Sequence, residues 1–184
     1  MDTRNVELVV PREDLREAYL DYVADFVAND EGNPRSKADA ELVRTDFAAY
    51  VRKTQDEAKG IGIPDGHVPW DTYWLLVDGR IVGEAGLRHR LTDSLRDWGG
   101  HICYVIRPSD RRKGYGTRLL AMVLERARRR GIDRALVTCA ADNVASARVI
   151  RNNGGVLDSE SHSEAAGRVT QRYWIDLTGQ EARP

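Results

Sequence analysis

The chain has 184 residues, with 28 lysines and arginines against 29 aspartates and glutamates, a formal charge of −1. That balance argues against a nucleic-acid binder driven by bulk positive charge, while 41% hydrophobic residues supply a real core for one compact domain. Two cysteines, Cys103 and Cys139, exclude a disulfide-built scaffold and a four-thiolate metal site; with no apolar leader and no run of about 18 apolar residues, the expectation is a soluble cytoplasmic protein that does not touch membranes.

Val6 to Val10 reads as a short strand closed by Pro11. Leu15, Tyr19, Tyr22 and Phe26 then recur at helical spacing, which predicts a helix from about Glu13 to Ala28. A second helix is expected from Ser36, which with Asp39 resembles a capping box, through Val43, Phe47 and Tyr50 to Gly60. Residues 60 to 70 look like a loop. Tyr73 to Val77 and Arg80 to Leu87 are strands joined by Asp78-Gly79, a strong two-residue hairpin signal. A polar connection over 90 to 99 ends in Gly99-Gly100, and His101 to Ile106 is the next strand. Thr117 to Arg130 carries Leu119, Leu120, Val123, Leu124 and Ala127 on one face and ends at Gly131, a helix with its expected stop. Ala135 to Cys139 follows as a strand, so a parallel crossover is expected. Ala145 to Asn153 is a short helix, and Val156 to Asp158 and Arg172 to Leu177 are the last two strands. The predicted class is α/β, a mixed central sheet with helices on both faces. A single domain is expected over 1–184: a strand and two-helix part over 1–69, a core over 70–177 and a tail over 178–184.

The segment with the most chemistry is Arg111-Arg112-Lys113-Gly114-Tyr115-Gly116-Thr117. Two glycines one residue apart let the backbone curl around a ligand. Free N–H groups at a helix start then face that ligand, and the helix dipole favours an anion. The three cations add charge at the same place, which predicts a phosphate or pyrophosphate site. The spacing fits neither a P-loop nor the dinucleotide fingerprint.

After another strand comes Asn143-Val144-Ala145-Ser146, opening the next helix. With the Arg-x-x-Gly-x-Gly loop before it, this resembles the GNAT superfamily of coenzyme A-dependent N-acetyltransferases over about residues 70 to 177. The resemblance implies acetyl-CoA as acyl donor and no metal. It places Arg111, Arg112, Lys113, Gly114, Tyr115, Gly116 and Thr117 around the pyrophosphate. The backbones of Tyr104 and Ile106 would lie beside the pantetheine and thioester, with Asn143 and Ser146 near the arm; Asn143 is equally a good helix N-cap. The implied acceptor is a primary amine of a small molecule or a peptide amino terminus, with neither nucleic acid nor membrane as partner, and a homodimer is compatible with the family.

The sequence departs from the family at Ile150, where many relatives carry a tyrosine acid. Tyr104, Tyr173 or a water would replace it, or the thiolate leaves without a dedicated acid. For the base, His101 at the start of its strand and Glu84 within an apolar strand are the main candidates, with His89 behind them. Cys103 and Cys139 are expected in the core, and Trp70, Tyr73, Trp74 and Trp98 near the acceptor side. A non-catalytic acyl-CoA-binding module is the alternative reading, motivated by the missing tyrosine.

Overall fold

A computed structural model describes residues 5–32 and 36–179. Two antiparallel sheets form its frame. The first has the order β1-β2-β3-β4, from strands β1 (Val6–Val9), β2 (Trp70–Val77), β3 (Arg80–Arg88) and β4 (Ile102–Ile106). The second has the order β5-β7-β6, from β5 (Arg134–Ala140), β6 (Val156–Ser163) and β7 (Arg168–Asp176). Helices α1 (Arg16–Ala28), α2 (Lys37–Thr45) and α3 (Phe47–Ala58) precede β2. A short α4 (Asp93–Asp97) leads into β4, α5 (Tyr115–Arg129) connects β4 to β5, and α6 (Val144–Asn152) follows β5.

Strand alternation divides the core. Tyr73, Leu75 and Val77 of β2 join the side chains of α5 and Ala147 and Ile150 of α6 on one face. Trp74 and Leu76 join Tyr19, Tyr22, Phe47 and Tyr50 on the other. Helices therefore cover both faces, as the α/β expectation requires. The β2–β3 hairpin turns at Asp78 and Gly79, both with positive φ (49° and 80°), the backbone of the predicted two-residue turn.

One irregularity in that hairpin decides the site. The register passes from Leu75↔Gly83 to Leu76↔Ile81, so Val82 is a bulge. A one-residue slip moves every later side chain to the opposite face. Val82 packs with α5, yet Glu84, two residues on, emerges on the α1–α3 face.

The expected second helix is two. Asp46 breaks it (φ −146°, ψ 80°) and its Oδ1 accepts the Ala49 N–H at 2.9 Å, capping α3. The predicted cap on α2 is present, with Ser36 Oγ accepting the Asp39 N–H at 3.1 Å. The last two strands are longer than the apolar pattern suggested. Their outer halves are polar and mostly exposed, so hydrophobicity marks only the inner part. The crossover from β4 through α5 to β5 exists, but the two strands meet at one place instead of pairing along their length.

That meeting place is built by Gly100 and His101. The His101 N–H donates to Leu136 O at 2.7 Å, and the Leu136 N–H donates to His101 Nδ1 at 2.9 Å. A Cβ on Gly100 would fall 2.4 Å from Leu136 O, and φ there is +60°, so only glycine lets the chain pass so close to β5. Beyond this pin the two sheets part.

Candidate functional site

The basic loop lies where β4 ends. Arg112 and Gly114 both take left-handed backbone conformations (φ 61° and 84°), and α5 starts at Tyr115. Its first intrahelical bond is from Arg118 N–H to Gly114 O, 3.2 Å. The N–H groups of Gly116 and Thr117 therefore have no carbonyl within the helix, and the positive end of the dipole there favours an anion. A Cβ on Gly116 would sit 3.2 Å from Val149 Cγ2, so this glycine also sets how closely α5 approaches α6. Tyr115 is buried in the α5 core, and Thr117 O accepts from Asn153 Nδ2 at 3.2 Å.

The three cations expected around the pyrophosphate differ in what holds them. Arg111 grips Glu31 at the end of α1 with both ends of its fork, at 2.5 and 2.6 Å, and its Nε donates to Ile106 O at 3.2 Å. The hydrogen bonds from Arg111 hold the Glu31 carboxyl below its usual range. Lys113 is paired with the buried Asp110 at 2.7 Å. Arg112 is exposed. The turn before the loop is strapped to α1 as well: Arg107 meets Asp21 at 2.7 Å, and the Ser109 N–H donates to Asp25 at 3.0 Å.

Beyond the pin at His101, β4 leaves one edge toward the gap. The Arg107 N–H donates to Val82 O on β3, 2.9 Å. Alternation along an antiparallel strand then turns the backbone groups of Ile106 and Tyr104 the other way, into the space before β5. A cavity of about 270 Å³ opens there, lined by Tyr104, Cys139, Asn143 and Ser146 among others. The Tyr104 hydroxyl lies 2.8 Å from Ser146 Oγ. Burial pushes its pKa up to about 12, so it is a neutral phenol at any physiological pH. Asn143 Oδ1 caps α6 by accepting the Ser146 N–H at 3.0 Å. The local cap and the cavity wall are thus the same residue.

A second cavity, about 380 Å³, lies on the α1–α3 side. Its wall includes Glu84, Arg88, Trp70, His67, Thr72 and Cys103. Arg88 and Cys103 line both cavities, so the two spaces are neighbours where β4 parts from β5. Cys103 is exposed at that junction and not in the core, whereas Cys139 is buried. Glu84 is 9% exposed and its Oε2 receives Trp74 Nε1 at 3.0 Å and Tyr19 OH at 3.1 Å. Of the expected aromatic group, Trp70 and Trp98 line the cavities. Trp74 lies under Glu84, and Tyr73 belongs to the opposite core.

The other expected catalytic residues lie elsewhere. His101 is buried in the pin, and burial lowers its pKa to about 4. Its Nδ1 accepts from Leu136, so the neutral ring carries its proton on Nε2 and holds no spare lone pair for a substrate. It joins the sheets instead of serving as a base. Tyr173 is fully buried; its hydroxyl donates to Gln171 at 2.6 Å and accepts from Arg151 at 2.9 Å. It lines neither cavity. His89 sits beside Asp71 and Arg130, away from both. Arg88 was not singled out from the sequence: nothing local distinguishes it from the chain's other arginines.

Among the described residues no group of three or more His, Cys, Asp or Glu side chains is placed to hold a metal ion. Nor is any helix long and apolar enough to cross a membrane.

The fold is shared with solved acetyltransferase structures. RimJ from Mycobacterium smegmatis, in complex with CoA-disulfide, is 20% identical with a TM-score of 0.69, covering 96% of this chain and 85% of that one. The yncA protein of Salmonella typhimurium, with acetyl-CoA, is 16% identical (TM-score 0.61, 96% of both chains). An acetyl transferase from Salmonella typhimurium that modifies the N-terminal serine of ribosomal protein L7/L12 is 18% identical (TM-score 0.63, 96% of both chains). No curated protein sequence matches the chain. The family model for acetyltransferases of the GNAT family matches residues 37–154, more than half of the sequence. With the helix start at Gly114, the parted strands and that match together, the chain belongs to the acetyltransferase (GNAT) family.

Proposed function

We propose that the protein moves acetyl from acetyl-CoA to a primary amine by direct attack, with both substrates bound at once. Acetyl transfer itself follows from family membership; the acceptor and the residue roles are the proposal. One observation carries it: a cavity on the α1–α3 face of the first sheet and one in the gap between β4 and β5 share Cys103 and Arg88 as walls, with Glu84 in one and Tyr104 in the other.

The site's chemistry suits acetyl-CoA. The N–H groups of Gly116 and Thr117 in the first turn of α5 point along the helix axis toward the space its pyrophosphate would fill, and the outward backbone groups of Ile106 and Tyr104 fit the amides of its arm. The amine enters from the Glu84 side as an ammonium. Glu84 takes one proton, leaving a neutral nitrogen to attack the thioester carbon. The Tyr104 N–H faces the developing oxyanion. As the C–S bond breaks, the Tyr104 hydroxyl gives its proton to the leaving sulfur and takes up in its place the second proton that the nitrogen sheds. The products are an N-acetyl amide and the free thiol of coenzyme A; the net proton leaves through Glu84 to water.

The test is thiol release from acetyl-CoA across a panel of primary amines. Release that depends on both the protein and one class of amine is the expected result. Tight acetyl-CoA binding with no release for any amine would contradict the transfer and favour a binding module.

A further inference from the structure

The acceptor cavity also speaks to what its amine is attached to. The charged side chains lining the two neighbouring cavities are Glu84, Arg88 and Arg168, so permanent cations outnumber carboxylates. A polyamine or an aminated sugar carries several positive charges and calls for several carboxylates. This wall offers one, and it is the group assigned to the reacting nitrogen.

Arg88 is held in a particular way. Its Nη1 donates to Gly99 O at 3.0 Å and Gly100 O at 3.1 Å. This fixes the guanidinium against the turn that enters β4. Its Nε and Nη2 hydrogens meet no acceptor among the described residues. One edge of a guanidinium presents two parallel donors, the match for one carboxylate. Glu84 and Arg88 sit on the same face of β3, four residues and so about 13 Å apart along the strand. Both side chains line the same cavity. Trp70, Val68 and Leu95 form an apolar stretch of the same wall.

We infer that the acceptor is a small zwitterionic amino acid, its amine toward Glu84, its carboxylate on the free edge of Arg88 and its side chain against Trp70. This rests on the transfer reading above and narrows its substrate class to a free amino acid, setting aside polycations and protein amino termini.

The experiment compares matched acceptors at saturating acetyl-CoA: L-phenylalanine with 2-phenylethylamine, L-tryptophan with tryptamine, and Phe-Ala-Ala with its C-terminal amide. Each amino acid should exceed its decarboxylated partner in kcat/KM by about 10- to 100-fold, the worth of a charged hydrogen-bonded pair. Arg88→Gln should bring that ratio close to one, through a rise in KM for the amino acid relative to its decarboxylated partner. A purely structural Arg88 would lower both members of each pair, and that result overturns the inference. So does wild-type protein that acetylates the decarboxylated amine or the peptide amide as well as the amino acid, a comparison that needs no variant. Silence with every acceptor, with acetyl-CoA still bound by calorimetry, would overturn the transfer reading and this inference with it.

Discussion

The Tyr104 hydroxyl and Ser146 Oγ lie 2.8 Å apart across the space between β4 and α6. In the proposed mechanism this phenol serves as the acid at the leaving sulfur, since position 150 holds a buried isoleucine. Tyr104→Phe keeps the ring and removes the proton. It should lower kcat by about 10²-fold and leave acetyl-CoA affinity unchanged, read by thiol release and by calorimetry. An unchanged kcat would mean that the thiolate leaves without Tyr104.

Arg111 and Glu31 make the second testable pair. The carboxylate occupies the fork that a phosphate would otherwise engage, and both side chains are about 40% exposed. An exposed pair of this kind is worth about 0.2–1 kcal/mol. Glu31→Gln should therefore tighten coenzyme A binding by about two- to five-fold at low salt, with the gain fading as salt screens it. Weaker binding in the variant would show that Glu31 supports the loop and does not compete for it.

Gly114 has open space around it, but its φ is +84°. Gly114→Asp adds strain of about 1–2 kcal/mol and puts a negative charge at the helix start. Acetyl-CoA binding should fall below detection in calorimetry while the circular dichroism spectrum remains that of the folded protein. Retained binding would move the phosphate site elsewhere.

His101 predicts a pH dependence of stability. Its folded pKa is depressed to about 4 from 6.5, chiefly by burial. Protons then bind the unfolded chain more readily between those values. Stability falls as pH drops from about 6.5 to about 4 and levels off below, by up to about 3 kcal/mol. His101→Asn removes the titration, so urea midpoints should lose that part of their acid slope. The same slope in both proteins would contradict the burial of a neutral ring in the pin.

The legible parts of the site were the local ones. The basic loop, the two glycines and the Asn143 cap lie within short stretches, and their conformations follow from their own residues. The illegible parts depend on long-range geometry. The direction of Glu84 is set by the bulge at Val82, which strict alternation in the sequence hides. His101 looked like a strand-end rim residue because its partner, Leu136, is 35 residues away. The pairing of Arg111 was hidden because Glu31 is 80 residues away. The polar halves of β6 and β7 escaped for a simpler reason: they pair through backbone hydrogen bonds and bury little apolar surface.

The central claim is that Glu84 takes a proton from an amine held in the acceptor cavity. The most direct measurement is kcat/KM against pH for wild type and Glu84→Gln with the best acceptor, alongside calorimetry of acetyl-CoA. The expected result is a loss of about 10²- to 10⁴-fold in the variant near neutral pH, partly recovered at high pH where the amine is already neutral, with the acetyl-CoA affinity unchanged. A variant that follows the wild-type profile in height and shape would contradict it.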